Sequence, residues 1–234
     1  MPTSPTLIEL RNLVKKFGEK AAVDDVTLDI YGGEIFGFLG PNGAGKTTTI
    51  KAIVGLLRPT SGTVRVAGFD VQRQPIPAKS ASGYVPDEPN LYAKLTAREL
   101  LRLFDLSPAA DDTIDSYSHG MRQKTSLAAA LVHDPKVLVL DEPTVGLDPK
   151  SARLIKDILR QLADRGAAVF LSTHILEIAE RMCDRIGIIN QGRLVAAGTI
   201  DELRQVGRGE SRLEDIFLAL TGGAEYAEIA DVLK

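Results

Sequence analysis

One segment near the amino terminus combines glycines with a lysine and a threonine at a fixed spacing. Residues 40–47 read Gly-Pro-Asn-Gly-Ala-Gly-Lys-Thr, the pattern G-x-x-x-x-G-K-[ST] of a phosphate-binding loop. Glycines let the backbone curl so that its N–H groups point inward, and a helix beginning there adds partial positive charge. Lys46 adds a full charge for the β- and γ-phosphates, and the Thr47 hydroxyl is a ligand for Mg²⁺. The predicted nucleotide contacts are Gly40, Pro41, Asn42, Gly43, Ala44, Gly45, Lys46, Thr47 and Thr48.

The segments on both sides of this loop decide between two interpretations of it. A glycine-rich turn between a strand and a helix, with no ligand, is the simpler alternative. A true phosphate loop requires an apolar strand before it and a helix after it. Residues 35–39 are apolar and residues 48–54 are typical of a helix, so the context favours phosphate binding.

Two adjacent carboxylates form the second candidate site. Asp141 and Glu142 follow a continuous apolar run at 136–140, which predicts a strand buried on both faces. A carboxylate at such a strand end holds Mg²⁺ directly or through water, which is the role expected for Asp141. Glu142 faces differently and is placed to act as the general base for an attacking water. Helix capping or a solvated turn is the alternative for this Asp-Glu-Pro segment, and the phosphate loop makes it the weaker one.

Two further side chains, His174 and Phe17, each have two possible roles. His174 lies just beyond a predicted strand at 167–172, near the same phosphate-facing edge, where it could contact a γ-phosphate or be structural. Phe17 sits in a predicted turn at 15–20, where it could stack on a ligand or simply pack. The residues contain no Cys/His cluster that suggests zinc and no Ser/His/Asp arrangement that suggests acyl transfer.

Strands that alternate with helices are predicted to carry these residues. A parallel sheet binds its ligand at the carboxyl ends of its strands, where the candidate residues fall. Residues 7–10 and 22–30 predict two antiparallel strands near the amino terminus. Further strands are predicted at 63–67, 83–86, 136–140, 167–172 and 185–190, and helices at 96–104, 121–132, 175–183, from 151 and from 213. The expected divisions are an α/β core at 1–86 and 136–200, an inserted helical subdomain at 87–135, and a C-terminal helical segment at 201–234.

Composition narrows the class of protein. The chain has 234 residues, 44% of them hydrophobic, and a net charge of −3, so a folded domain without a basic face is expected. This argues against a nucleic-acid partner. Its amino end resembles no signal peptide, and apolar runs such as 127–132 fall short of the about 20 residues that span a bilayer. We therefore expect a soluble, intracellular chain in which the single cysteine, Cys183, is a buried thiol.

Several further motifs extend this pattern along nearly the whole chain. Taken in order, the motifs resemble those of the nucleotide-binding subunits of ATP-binding cassette (ABC) transporters. An acid in the Q-loop and the segment 213–222 resemble cassettes that serve separately encoded, mostly exporter-type (ABC-2) permeases. The motifs are the phosphate loop at 40–47, the Q-loop at 83–87, the signature at 117–121, the acidic strand end at 137–144, the D-loop at 146–148 and the switch at 173–174.

The resemblance implies a fold and roles for particular residues. The implied fold is a P-loop ATPase core with a mainly parallel sheet, an N-terminal antiparallel β subdomain and an inserted, shortened helical subdomain. Phe17 would stack on the adenine of ATP, Glu142 would act in hydrolysis with Lys46 and His174, and Mg²⁺ would be held by Thr47, Asp141 and Asp87. Two chains would sandwich two ATP molecules head to tail. The residues that would reach the partner chain's ATP are Ser118, His119 and Gly120, with Asp148 at the same interface.

The implied function is that of an ATPase subunit, most simply a homodimer, that drives a membrane permease from the cytoplasmic face of the membrane, with export as the expected direction. One alternative is a non-transport cassette that acts in DNA repair or translation, although the long coiled coils, tandem cassettes or basic arms of such proteins are not visible. Another is a regulatory cassette that binds ATP and hydrolyses it weakly.

Three departures from the family pattern are visible, and two of them, Asp87 and the short helical subdomain, make that last alternative conceivable. Asp87 is a shorter anion where the family has a neutral amide, which changes the coupling geometry. His119 and Met121 replace a glycine and a glutamine of the signature. The segment 104–117 is short, because family members carry additional helices there, and a reduced helical subdomain would weaken permease docking.

Overall fold

The computed structural model describes residues 4–87, 114–206 and 212–222. Its central layer is a six-stranded sheet in the order β10-β9-β3-β8-β7-β6. Five of these strands are parallel, and β10 pairs antiparallel with β9 at the edge. The strands are β3 (Ile35–Leu39), β6 (Ser82–Val85), β7 (Val137–Asp141), β8 (Ala168–Thr173), β9 (Arg185–Asn190) and β10 (Arg193–Gly198).

A second, four-stranded antiparallel sheet has the order β2-β1-β4-β5. It consists of β1 (Thr6–Phe17), β2 (Lys20–Tyr31), β4 (Ser61–Val66) and β5 (Phe69–Asp70). The first two strands form a hairpin whose turn is only Gly18 and Glu19. Because Gly18 adopts a φ of 59°, a conformation that glycine tolerates without cost, the two strands reverse direction tightly.

Helices connect the strands, and most of them cover the face of the parallel sheet that points away from the antiparallel sheet. They are α1 (Lys46–Ile53), α2 (Pro75–Ser80), α3 (His119–Leu131), α4 (Pro149–Asp164), α5 (Leu176–Met182), α6 (Ile200–Val206) and α7 (Leu213–Thr221), with one 3₁₀ turn at Ile114–Ser116. Helix α4 shows how the sequence specifies them. Asp148 caps its amino end by accepting a hydrogen bond from the backbone N–H of Ser151, Pro149 occupies its first turn, and Ile155 and Leu159 point into the core.

The two faces of the parallel sheet bury two separate apolar cores. Alternate residues of a strand point to opposite faces, so Phe36 and Phe38 lie on the face toward the antiparallel sheet. There both rings pack against Phe170, with ring centroids 6.0 and 5.3 Å apart. Leu39 and Leu140 belong to the other face, which is covered by α3, α4, α5 and α7. Both faces of the sheet are packed against other elements and shielded from solvent, which explains why the parallel strands are apolar without alternation.

The structure confirms the α/β fold and changes several predicted boundaries. The turn predicted at 15–20 is wrong, because Lys15 and Phe17 are paired within the hairpin, opposite Val23 and Lys20. The helix predicted to begin at 121 begins at His119. The helix predicted at 96–104 lies outside the described residues. Elements that the sequence patterns did not predict are α2, α6, β5 and β10.

Candidate active site

The phosphate loop connects β3 to α1 at the carboxyl edge of the parallel sheet. Two of its glycines are required by contacts with neighbouring strands. A Cβ atom on Gly40 would lie 2.5 Å from the carbonyl oxygen of Ile189, and one on Gly45 would lie 2.4 Å from that of Ala22. Gly45 also has a φ of 110°, and Ala44 accepts a hydrogen bond of 2.9 Å from the backbone N–H of Gly192. The loop is therefore held from two sides in a conformation that few other sequences could adopt.

Lys46 begins α1 and is buried, with 7% of its surface exposed. Its ammonium group donates hydrogen bonds to the carbonyl oxygens of Gly40 at 2.7 Å and Pro41 at 3.3 Å, and it lies 3.9 Å from Oε1 of Glu142. Burial lowers the pKa of Lys46, and the negative charges of Glu142 and Asp141 partly oppose that shift. A buried cation next to two carboxylates is suited to the negative charge of a phosphate.

The two candidate carboxylates leave the end of β7 in different directions. Asp141 is the last residue of that strand and is 3% exposed, while Glu142 adopts a φ of 49°, in the left-handed region. That conformation turns the Glu142 side chain away from that of Asp141. A strained non-glycine residue at the end of a core strand is typical of a functional position.

Ser172 on the neighbouring strand β8 contacts both of these residues. Its hydroxyl donates a hydrogen bond of 2.5 Å to Oδ1 of Asp141 and accepts one of 3.1 Å from the backbone N–H of Glu142. Sequence reasoning gave Ser172 no role. The register that places it beside Asp141 is a property of the assembled sheet, and its position two residues before His174 was the one available signal.

His174 follows β8 and lies beside the carboxylate of Glu142. Its Nδ1 is 3.0 Å from Oε1 of Glu142, and its backbone N–H is 3.4 Å from Oε2. Half of the His174 side chain is exposed, whereas that of Glu142 is 11% exposed. The structure thus brings together Lys46, Glu142 and His174 from three separate segments. The His174 imidazole and the Lys46 ammonium group both lie next to one oxygen of the Glu142 carboxylate.

Lys46 and Glu142 of this cluster line a cavity of about 340 Å³ together with the phosphate loop, whereas His174 lines a separate cavity. Phe17, at the end of β1, lines the cavity and is 55% exposed. The ammonium group of Lys15 lies 5.1 Å from the centroid of the Phe17 ring, and Lys15 is not among the residues that line the cavity. A cation on one side of the ring leaves the other side available to a planar group. The remaining lining residues are Lys20, Ala22, Pro41, Asn42, Gly43, Gly45, Lys46, Thr47, Thr48, Asp87, Asp141 and Glu142.

Thr47, Asp87 and Asp141 lie where this cavity meets a second one of about 710 Å³. The carboxylates of Asp141 and Asp87 both contribute to raising the pKa of the nearby Tyr84 hydroxyl to about 12, after burial as the main cause. A hydroxyl and carboxylates are ligands that Mg²⁺ accepts together with phosphate oxygens. Within the described parts of the chain, no group of three or more His, Cys, Asp or Glu residues could hold a metal ion. One hydroxyl and two carboxylates leave coordination positions for phosphate oxygens, so these residues fit a cation that shares its ligands with a bound nucleotide.

The signature residues lie apart from this cavity. Ser118 caps α3 by accepting a hydrogen bond of 3.2 Å from the backbone N–H of Met121, and both Ser118 and His119 are exposed. The signature packs against the D-loop of the same chain, since a Cβ atom on Gly146 would lie 3.1 Å from Cδ2 of His119. Asp148 in that loop accepts hydrogen bonds from Ser151, which lower the pKa of its carboxyl group. These residues form an exposed surface and do not complete the chain's own cavity.

Comparison with known proteins identifies the class to which this fold and site belong. The family model of the ABC transporter matches residues 23–145, which include the phosphate loop, the signature and both acidic residues. The Nod factor export ATP-binding protein I of Burkholderia lata is 40% identical over 220 residues, covering 85% of this chain and 72% of that protein. The daunorubicin/doxorubicin resistance ATP-binding protein of Streptomyces peucetius is 40% identical over 227 residues, covering 87% of this chain and 69% of that protein.

Solved structures agree with this family. The structure of an ATP-binding subunit of an ABC transporter superimposes with a TM-score of 0.87 at 33% identity, covering 92% of this chain and 99% of that one. A dimeric ATP-binding cassette in a post-hydrolysis state, bound to ADP and Pi, superimposes with a TM-score of 0.74 at 26% identity. The match covers 83% of this chain and 99% of that one. The chain belongs to the ATP-binding subunits of the ABC transporter family and is a nucleotide-binding ATPase. Across residues 4–87, 114–206 and 212–222, no helix is long and apolar enough to cross a membrane.

Proposed function

We propose that this chain binds MgATP in the 340 Å³ cavity. The adenine, the phosphates and the metal ion lie in three neighbouring regions of that cavity. The adenine stacks on the side of the Phe17 ring opposite Lys15. The phosphates lie in the loop at 40–47, where backbone N–H groups and the Lys46 ammonium group bind them. Thr47, Asp141 and Asp87 would hold Mg²⁺, which would supply positive charge to offset the negative charge of the phosphates.

Glu142 is the general base of hydrolysis. The observation that carries this assignment is the position of its carboxylate, 3.0 Å from Nδ1 of His174 and 3.9 Å from Nζ of Lys46. A carboxylate in this position faces the place where a γ-phosphate would lie between the loop and the histidine. A water held there would lose its proton to Glu142 as it attacks the γ-phosphorus, and the bond from that phosphorus to the β,γ-bridging oxygen would break, so that ADP leaves. His174 orients the carboxylate and contacts the γ-phosphate.

Two copies of the chain act together. Ser118, His119 and Gly120 are exposed or half-buried and lie outside the cavity, so they are available to the ATP bound by a second cassette. The amino end of α3 presents N–H groups with partial positive charge, which suits a γ-phosphate. Asp148 would lie at the same interface. A related cassette, 26% identical, was solved as a dimer, which supports the pairing of two copies.

The work of hydrolysis is done on a separately encoded permease, at the cytoplasmic face of the membrane. The names of the relatives favour export, because they include Nod factor export, linearmycin resistance and daunorubicin/doxorubicin resistance ATP-binding proteins. Purifying the tagged chain from solubilised native membranes tests this assignment. We expect one multispanning membrane protein to co-purify in stoichiometric amount, and recovery of nucleic acid in its place would favour a repair or translation role.

Replacing the proposed base separates binding from hydrolysis. We expect Glu142→Gln to bind ATP with unchanged affinity and to lower the rate of hydrolysis by about 10²- to 10⁴-fold, since an amide cannot accept the proton. ATP should then trap a dimer that size-exclusion chromatography with light scattering detects. Both measurements use the purified full chain with Mg²⁺ present.

The matched control for that variant is Glu9→Gln. Glu9 lies in β1, next to Arg11 at 3.5 Å and outside the cavity, so the same chemical change there should leave hydrolysis and assembly unaltered. Wild-type turnover by Glu142→Gln would contradict the assignment of the base. ATP binding without measurable turnover by the unmodified chain, even with its permease, would favour the regulatory alternative.

A further inference from the structure

Ser172 contacts both carboxylate residues of the proposed site and has no assigned part in it. It is fully buried in β8, with 0% of its surface exposed, and stands opposite Asp141 in the parallel register with β7. We propose that Ser172 is a positioning residue that fixes the metal-binding carboxylate and the catalytic base relative to each other. This inference rests on the function proposed above.

The direction of the hydrogen bonds follows from the donors available. The backbone N–H of Glu142 must be the donor to the Ser172 oxygen, at 3.1 Å. The single hydroxyl hydrogen of Ser172 then points to Oδ1 of Asp141, at 2.5 Å. The bonds run in one sequence from the Glu142 backbone through Ser172 to Asp141. Bonds arranged in such a chain polarise and strengthen one another in a buried site.

This arrangement fixes two geometries at once. One oxygen of Asp141 is held by the serine, so rotation of the carboxylate is restricted and the other oxygen remains for a cation or its water. The backbone of Glu142 is held in its left-handed conformation, with a φ of 49°, by the hydroxyl and also by the carbonyl oxygen of Ser172 at 3.2 Å. The direction of the Glu142 side chain follows from that backbone conformation.

Purely structural hydrogen bonding is the competing explanation for a buried serine. It would make Ser172 necessary for stability only, because a buried carboxylate that loses its donor is costly wherever it lies. A positioning role predicts a different result. Displacing a base or a metal ligand by a fraction of an ångström lowers turnover while the nucleotide still binds. The two explanations therefore differ in the kinetic constants and in metal affinity.

The test is Ser172→Ala in the full chain, together with its permease if hydrolysis requires it. We expect kcat to fall by about 10-fold or more, with KM for ATP changed by less than about twofold. We also expect the affinity for Mn²⁺, measured by electron paramagnetic resonance with a non-hydrolysable ATP analogue, to fall several-fold. The second measurement needs no turnover, so it remains informative if the unmodified chain proves inactive and the proposed function fails.

A matched control is Thr125→Ala. Thr125 is 1% exposed and donates a hydrogen bond of 2.9 Å to the carbonyl oxygen of Met121 within α3. The alanine variant therefore loses a buried hydroxyl that does not contact either carboxylate. It should lose stability and keep kcat and Mn²⁺ affinity. If Ser172→Ala loses only stability, as this control does, the proposal is wrong.

Ser172→Cys keeps the inference testable if the alanine variant does not fold. A thiol is larger than the hydroxyl and is a weak donor, so the buried position stays filled while the bond to Asp141 is weakened. We expect an intermediate loss of kcat and of Mn²⁺ affinity. Wild-type values for both quantities in the cysteine variant would also overturn the proposal.

Discussion

Phe17 shows how one side chain connects the hairpin to the nucleotide site. The sequence left open whether it packs or stacks on a ligand. In the structure it is 55% exposed at the mouth of the cavity, and Lys15 occupies one side of its ring at 5.1 Å. An aromatic ring held in this way is well suited to stack on a purine, although its role remains a prediction.

Truncating this ring should weaken nucleotide binding and leave the chemical step intact. We expect Phe17→Ala to raise KM for ATP by about 10-fold, since stacking of a base on an aromatic side chain contributes about 1–3 kcal/mol. KM for GTP should rise similarly, because both bases present a flat π-face. Phe17→Tyr should restore binding.

Steady-state kinetics at saturating Mg²⁺ provide that measurement. Ile76→Ala is the control, because Ile76 is 78% exposed on α2 and does not line the cavity. An unchanged KM in Phe17→Ala would show that the ring does not contact the base.

Among the elements, helix α3 and strand β6 connect the signature to the core. The two pack so closely that a Cβ atom on Gly83 would lie 2.6 Å from the carbonyl oxygen of Ala130. The amino end of the same helix presents Ser118 and His119 at the surface. This packing joins the helix that carries the signature to the strand that precedes Asp87.

A methyl group at Gly83 should separate this helix from the sheet. We expect Gly83→Ala to lower the free energy of unfolding by about 1–3 kcal/mol, because the clash is with backbone, which cannot move aside as a flexible side chain does. Urea denaturation followed by circular dichroism measures this loss.

Gly120→Ala is the matched substitution on the same helix. There the added Cβ would meet only the end of the Leu147 side chain at 3.2 Å, and alanine favours a helix, so stability should be kept. Hydrolysis should fall nevertheless, if the signature reaches the partner chain's ATP. Equal stability of the two variants would show that α3 is not held in place by Gly83.

At the scale of the whole molecule, the buried Cys183 thiol and the half-buried Tyr84 hydroxyl limit stability at alkaline pH. Burial raises the pKa of the Cys183 thiol from 9.0 to about 12, and burial with nearby carboxylates raises that of Tyr84 from 10.0 to about 12. A pKa raised by folding stabilises the folded state below the unfolded pKa. That contribution is lost as the pH rises toward the folded value, because the unfolded chain releases its proton first.

The unfolding midpoint in urea should therefore fall between pH 9 and pH 11. Cys183→Ala should show a shallower fall over the same range, because one of the two groups is removed. In the native protein at pH 8 the thiol should resist a disulfide reagent and react on unfolding, since little thiolate is present. Rapid native reaction, or an identical pH dependence in the alanine variant, would contradict this account.

Local pattern was enough to specify much of this molecule. The loop at 40–47, the buried strand before Asp141 and the alternation of strands and helices predicted the α/β fold and the carboxyl edge as the binding edge. These features depend on neighbouring residues and on hydrophobic periodicity, which the chain displays directly. Short or half-exposed elements such as α2 and β10 were not predicted, because their stability comes from packing and not from their own pattern.

Only the assembled sheet decides which side chains lie next to the phosphate loop. The sequence predicted Lys46, Glu142 and His174 for one site at the same sheet edge. The parallel register and the turn at Glu142 place the ammonium group and the imidazole beside the same oxygen of the Glu142 carboxylate. Ser172 became visible as a contact of both acids for the same reason, since its partner lies 31 residues away along the chain. Residue types set which chemistry is available here, whereas contacts between distant strands decide which atoms perform it.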